Sequence, residues 1–492
     1  MATATSIATL ANVLKEELSF VRAESEPEVD GIFSKFENSS AGVERGVGRT
    51  WQVLHTFSTG LAGGFKNVLA SGPSTADTTA TGQSLAWGSS PRTFPALTEV
   101  TAPNYFQRTL TLVQGMGNLA LPFQYSQADR LDASIMSAVS LIMKGTGKKV
   151  TQSDAIMLYQ NDRGGAGTIA DRAIIALVTA GDGAGNTDVV DGPQTGVSLT
   201  ITFDGTNVLG RVGRLMPGML VDLYTDADVK QNSAAGSLGA AVDLIVQSVD
   251  YVSKSFVLAT VDASTGLAPA DVDANDYIVL KDSVGVGPSG FEDWMVNSGT
   301  AFGVALASQP QLKSLIAAVG GVLDETTKNK FVGGFFDAYG SMYSVDTMIT
   351  TTGVLNAHLE SLDGLGRYDR QNQAMKPREG WVSIDYTWGG RGMQILLSRY
   401  MKSGQALFMK SLDGNLKRYI PPPVKSTRKG VPDFPQDIQF IAPWLGSSSI
   451  FMPATSSDGV TEFAQAPFTY FREFAPVQMP GIKLTGLTEL NP

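Results

Sequence analysis

Cysteine is absent from the 492 residues, which removes disulfides, thiolate nucleophiles and thiolate metal sites together. Histidine is nearly absent. His55 and His358 are the only two, and neither has an acidic or histidine partner at a metal-binding offset, so zincin-type motifs are excluded. His358, in a helical stretch beside Glu360, reads as a surface or interface residue. Runs of like charge are missing and only 17% of residues are charged, which argues against a disordered regulator. No apolar run reaches the roughly 18 residues of a membrane span. The start, Met1-Ala-Thr-Ala-Thr, lacks the basic and apolar regions of a secretory signal, so the chain reads as a soluble, non-exported protein. A phosphate-binding Walker loop, a Rossmann fingerprint after a strand and a G-x-S-x-G elbow are all lacking. With no coherent set of reactive residues, no enzyme, cofactor or metal is expected.

Hydrophobic residues make up 43% and glycines number 53, the balance of a folded, loop-rich, β-rich chain. Its length exceeds what one core organises, so two or three sub-domains are expected. The net charge of -10 disfavours tight phosphate binding, because each neutralised phosphate needs a local Lys or Arg. Nucleic acid near such a protein is contained rather than gripped.

Along the chain, Ile7, Leu10, Leu14, Leu18 and Val21 form the stripe of an amphipathic helix. Residues 71–93 are small, polar and turn-forming, between segments that look extended at Phe65 to Ala70 and Arg108 to Val113. They read as a loop, or as the tip of an arm that orders on a neighbour. Ser126 and Asp129 open a helix whose stripe (Leu131, Ile135, Ala138, Val139, Ile142) ends near Gly145 and Gly147. Thr151 and Asp154 then begin either a second short helix or the far half of an interrupted one. Ala173 to Ala180 is a buried strand or a short core helix. Short β-branched runs at Met219 to Tyr224, Leu244 to Val249, Phe256 to Val261 and Tyr277 to Leu280 point to a small barrel or sandwich over 205–285. Helix-forming sequence resumes at Leu312 to Val322 and Asp324 to Tyr339.

The run Gly181 to Asp188, with Asp191, has the look of a calcium-binding turn but lacks the glutamate of an EF-hand loop, so a plain turn is expected. Lys417-Arg418 and Lys425 to Lys429, around the triple proline, read as a solvated loop, the alternative being an intersubunit salt bridge or an inward face touching enclosed nucleic acid. The block Ser344 to Val424 carries the most information. It reads strand (Ser344 to Thr350), capped helix from Thr351 or Thr352 to about Leu362, a loop Arg367-Tyr368-Asp369, strands at Trp381 to Trp388, Arg391 to Leu397 and Gln405 to Met409, and a stop at Pro421 to Pro423.

In that order the blocks resemble a tailed-bacteriophage major capsid protein, a fold shared with encapsulins and the herpesvirus capsid floor. The resemblance implies an α+β fold with an N-arm (1–60), an extended E-loop hairpin (61–114), a peripheral domain with a spine helix (115–180 and 455–492), an inserted small β-barrel domain (205–285) and an axial domain (290–454). Phe468 to Phe474 and Ile482 to Leu487 are similar to its closing peripheral strands. It further implies a structural virion protein that self-assembles in the host cytoplasm into pentamers and hexamers, forming an icosahedral shell around double-stranded DNA. Its partners would be other copies, a separate scaffolding protein and a portal, with a decoration protein left open and no membrane. Subunit contacts are expected at Arg367, Tyr368, Asp369, Thr78, Thr79 and Gln83. The alternatives are an encapsulin-like nanocompartment shell and a tail-tube or adhesion protein.

Overall fold

The computed structural model describes residues 29–39, 45–47, 50–58, 104–122, 133–159, 174–178, 189–191, 198–203, 212–234, 236, 238, 241–261, 266–273, 275–339, 343–364, 376–378, 381–388, 391–412, 414–421, 438–440, 452–455 and 462–490. These form a mixed architecture of helices and sheets, as the α+β expectation requires. The expected N-terminal helix lies outside them.

The strand Glu462–Pro476 is the spine of a six-stranded sheet. It runs antiparallel to Val113–Pro122 from Phe463↔Pro122 to Arg472↔Val113, and to Ile438–Phe440, Met452–Thr455 and Leu416–Tyr419. The last of these pairs in parallel with Phe36–Ser39. Bulky side chains on one strand require space on the other. A Cβ on Gly115 would lie 2.1 Å from the Tyr470 ring and one on Gly117 2.3 Å from the Phe468 ring, so glycine is what lets these rings lie across the partner strand.

Helix α1, Ala133–Tyr159, packs on this sheet and is continuous for 27 residues, about 40 Å at 1.5 Å per residue. It passes through Gly145 and Gly147, where a stop was expected. Two interior glycines cost about 1 kcal/mol each. Burial of Met143, Val150, Ile156, Met157 and Leu158 outweighs them at roughly 1.5–3 kcal/mol apiece.

A second sheet has seven antiparallel strands in the order Ile174–Leu177, Tyr277–Leu280, Leu220–Tyr224, Leu244–Asp250, Ser255–Thr260, Ser198–Thr202, Val189–Asp191. All four strands expected between Met219 and Leu280 form, and the ambiguous 173–180 run is a strand. The sheet also recruits three strands from 174–202, so it extends beyond the expected 205–285 span. Its pairing is an open order, with no rung joining the two ends among the described residues.

A third sheet, also of seven strands, is ordered Leu315–Ala318, Ile482–Thr485, Ala406–Met409, Thr347–Thr350, Arg391–Leu397, Trp381–Trp388, Lys376–Arg378. Helix α2, Phe291–Trp294, supplies buried aromatics to the main core. Helices α3, Glu325–Tyr339, and α4, Thr352–Gly364, bury Val332, Phe335, Val354 and Leu355 with Met348, Ile395, Phe408 and Leu484 of the third sheet. Two expectations fail here. The helix expected at 312–322 is a short 3-10 turn, Pro310–Leu312, followed by the strand Leu315–Ala318. A parallel partner, Ile482–Thr485, offers this segment ladder bonds that a lone helix would not have, and Gly320 at φ +68 turns the chain afterwards. Ile482–Thr485, expected beside Phe468 to Phe474, thus belongs to a different sheet from them.

The largest core joins all three regions. Phe36 stacks edge-on to Phe474 at 5.1 Å between centroids and lies 6.4 Å from Trp294, the largest fully buried side chain. Phe474→Ala is expected to cost about 3–5 kcal/mol in urea unfolding. Exposed Met116→Ala, as a control, should shift stability by no more than about 0.5 kcal/mol.

Candidate functional site

Thr78, Thr79, Gln83, Arg367, Tyr368 and Asp369 all lie outside the described residues; their flanks do not. The strands Thr50–Ser58 and Asn104–Thr111 pair antiparallel from Thr50↔Thr111 to Ser58↔Asn104, with Arg45–Val47 alongside. Nine residues in extended form span about 30 Å. The sequence pattern showed Arg45 to Phe57 only as a mixed segment; the strand there is fixed by its partner. At the root of this arm, Leu110 and Leu112 are buried with Tyr419, Phe471 and Ala475. Arg108 is fully buried. Its Nη1 donates to the Pro476 carbonyl at 2.7 Å, and its guanidinium lies 5.4 Å from the Phe302 ring centre. The arm is therefore clamped at its base.

Past Leu112 the chain enters Val113–Pro122, which with α1 borders a groove of about 390 Å³ lined by Met116, Ile142, Thr146, Lys149, Phe468 and Tyr470. Met116 is 77% exposed, and Leu141 on the helix is 71% exposed. Lys144, Lys148 and Lys149 lie on the same exposed stretch of helix. Behind the groove, Arg472 and Asp154 form an ion pair with side chains only 2% and 5% exposed. The Arg472 guanidinium sits 3.9 Å from the Tyr470 ring centre. Sequence reasoning saw Asp154 only as a helix-cap residue, because its partner is 318 positions away. The available signal was a charged Arg472-Glu473 inside an otherwise aromatic strand.

In the third sheet the strand, helix and strand order expected for 344–409 is present. The Thr351 hydroxyl accepts from the Val354 amide at 3.4 Å and donates to Glu489, whose carboxylate also accepts from the Gly404 amide at 3.0 Å. His358 is not on the surface as expected but 1% exposed, where α4 meets the start of α3. Its Nδ1 lies 2.6 Å from the Leu323 carbonyl and so carries the proton. Burial, and secondarily the charge of Lys328, depress the imidazole to about 4. Burial likewise lowers Lys328 to about 8. Lys417-Arg418, expected in a solvated loop, is in the strand Leu416–Tyr419 with Arg418 buried, because both edges of that strand are taken by neighbours. Lys425 to Lys429 and Gly181 to Asp188 lie outside the described residues; Asp191 is in a strand at a sheet edge. Among the described residues no three His, Asp or Glu side chains are placed to hold a metal, and no helix is long and apolar enough to cross a membrane.

No family model and no curated protein matches the sequence. Solved structures do. A capsid of cyanophage A-1(L) is 9% identical, covering 92% of this chain and 90% of its own at a TM-score of 0.36. A structure from Mycobacterium phage Adephagia is 10% identical over 94% of this chain and 92% of that one, at a TM-score of 0.33. An encapsulin complex of Synechococcus elongatus is 10% identical at a TM-score of 0.23; the match covers 35% of this chain and 53% of the encapsulin. These superpositions are loose, so the functional reading rests on the chain's own elements.

Asp154→Ala, which leaves Arg472 buried without this carboxylate, is expected to cost about 3–5 kcal/mol, and the apolar pair Asp154→Leu with Arg472→Met should recover most of it in urea unfolding. His358 generates a pH dependence of definite sign. With the folded value near 4 and the ordinary value 6.5, its stabilising contribution is complete above 6.5 and is lost as pH falls towards 4. The loss is on the order of 3 kcal/mol. His358→Gln should lose measurably less stability than the parent between neutral pH and about pH 4.5.

Proposed function

We propose that the chain is a structural shell subunit, the major capsid protein of a tailed bacteriophage. The observation that carries this reading is the arm. Paired strands of nine and eight residues are clamped by Arg108 to a body that already has its own core, and they lead to 45 residues, 59–103, rich in small polar side chains. A shell requires heterologous contacts that close, and an arm reaching a neighbour supplies area that a compact domain cannot. Exposed Met116 and Leu141 beside the groove suit the same role.

In this reading the subunits form pentamers and hexamers with a separate scaffolding protein and a portal, in the host cytoplasm. The virion shell encloses double-stranded DNA without gripping it, consistent with the net charge of -10. Its proposed divisions are an N-arm, an E-loop that includes the root strands Thr50–Ser58 and Asn104–Thr111, a peripheral domain around α1 and Glu462–Pro476, an inserted β domain that includes the strands of 174–202, and an axial domain that includes Ile482–Thr485. Thr78, Thr79 and Gln83 on the arm, and Arg367, Tyr368 and Asp369 near the capsomer centre, are its proposed subunit contacts. No catalytic step is assigned.

Deleting residues 72–90 tests the arm. The variant should keep its urea midpoint while forming far fewer closed particles or rings in negative-stain images, and normal assembly by the deletion would refute the reading. Nuclease-protected double-stranded DNA in particles from infected cells is the expected outcome for a phage shell. Protein cargo without DNA would mark an encapsulin-like compartment instead.

A further inference from the structure

Asp30 stands at the root of the described chain, buried, and in none of the ion pairs among the described residues. Its carboxylate caps the 3-10 turn Gly31–Lys35. One oxygen accepts from the Ile32 amide at 3.1 Å, and the other accepts from the hydroxyl of Ser398, 368 positions away. Ser398 is itself held firmly: its amide donates to the Thr350 carbonyl at 3.1 Å, and its Oγ accepts from the Tyr400 amide at 3.2 Å. The two nearby cations are committed elsewhere. Arg399 donates to the Tyr400 hydroxyl at 2.6 Å, and buried Arg214 donates to the Tyr400 carbonyl. From α1, Tyr159 faces the carboxylate as a neutral phenol, its ionisation opposed by burial and by the charge of Asp30. Lys35 is the basic residue of Asp30's own turn.

Asp30 therefore ties its own turn and strand, 31–39, to the loop after Arg391–Leu397 through two neutral donors, the Ile32 amide and the Ser398 hydroxyl, beside the end of α1. An ionised carboxylate so placed is shut off from solvent and has no ion-pair partner among the described residues. A protonated one needs neither.

We propose that Asp30 is an acid-tightened latch, holding Gly31–Lys35 and the strand Phe36–Ser39 against the Ser398–Met401 loop when protonated and loosening them when ionised. The latch is a property of the single subunit and does not depend on the shell reading. Burial raises the carboxyl to about 6 from 3.8, opposed by the bonds from Ser398 and Ile32, by the neighbouring Tyr159 phenol and by the charge of Arg399. Because the folded value is raised, the stabilisation is complete below 3.8 and is lost as pH rises through about 6. This window is opposite in sense to that of His358.

Hydrogen exchange of the amides from Ile32 to Ser39 in the full-length chain, corrected for intrinsic rates, reads the latch directly. Protection should be roughly ten-fold greater at about pH 5 than at about pH 7.5. Asp30→Asn keeps an acceptor for Ile32 but cannot ionise, and should hold nearly the acid level of protection at both values. Ser398→Ala removes a bond that favours the ionised form and should move the midpoint to higher pH. Equal protection at both pH values in the parent chain, or a pH step of full size in Asp30→Asn, overturns the proposal. If Asp30→Asn does not fold, an unmoved midpoint in Ser398→Ala does so.

Discussion

The strand Glu462–Pro476 has to satisfy hydrogen bonds on both edges and bury both faces, and most of the described structure is arranged to let it. One face carries Phe468, Tyr470, Arg472 and Phe474, and the other carries Phe471 and Ala475. Helix α1 and the Asp154 carboxylate cover the first face towards its middle, and Phe36 with Phe33 covers it at the end. The base of the arm, through Leu110 and Leu112, covers the second. Val113–Pro122 takes one edge from Phe463 to Arg472, Met452–Thr455 and Ile438–Phe440 take the other over 462–465 and 468–470, and Leu416–Tyr419 pairs from Glu473 to Pro476. An arm is useful to an assembly only if its base does not move, and this strand is what the base is fixed to.

Buried charge at this junction serves position more than stability. Replacing a buried ion pair by apolar side chains is often neutral or stabilising, whereas removing one partner is costly. Asp154 with Arg472, and Arg108 with the Pro476 carbonyl, each tie α1 or the arm to a single register of the central strand. Asp30 and His358 differ because neither is in an ion pair among the described residues. Their opposite responses to acid tighten the N-terminal turn and weaken the packing of α3 against α4.

Local pattern was legible wherever packing agreed with it. The strands between Met219 and Leu280 announce themselves through β-branched runs and Gly, Asp and Asn turns, and α3 and α4 through apolar spacing. What local pattern cannot contain is a partner distant in the chain. Leu315–Ala318 reads as helix until Ile482–Thr485 is laid beside it, Gly145 and Gly147 read as a stop until the sheet under α1 is known, and Arg418 reads as solvated until its strand is inserted between two others. His358 reads as exposed because only the Leu323 carbonyl, 35 positions earlier, explains why an imidazole can be buried there. The proposed contact residues were chosen by resemblance, and the described structure reaches their flanks, not the residues themselves.

The central claim is that the arm rooted at Arg108 reaches a second copy of the chain. Particles assembled from an equal mixture of light and nitrogen-15-labelled protein, crosslinked at lysines and read by mass spectrometry, test it most directly. The account predicts that crosslinks from Lys66, in the segment beyond the arm's paired strands, to lysines of the body appear as mixed light and heavy pairs. Crosslinks from Lys66 found only within copies of one isotope would contradict it.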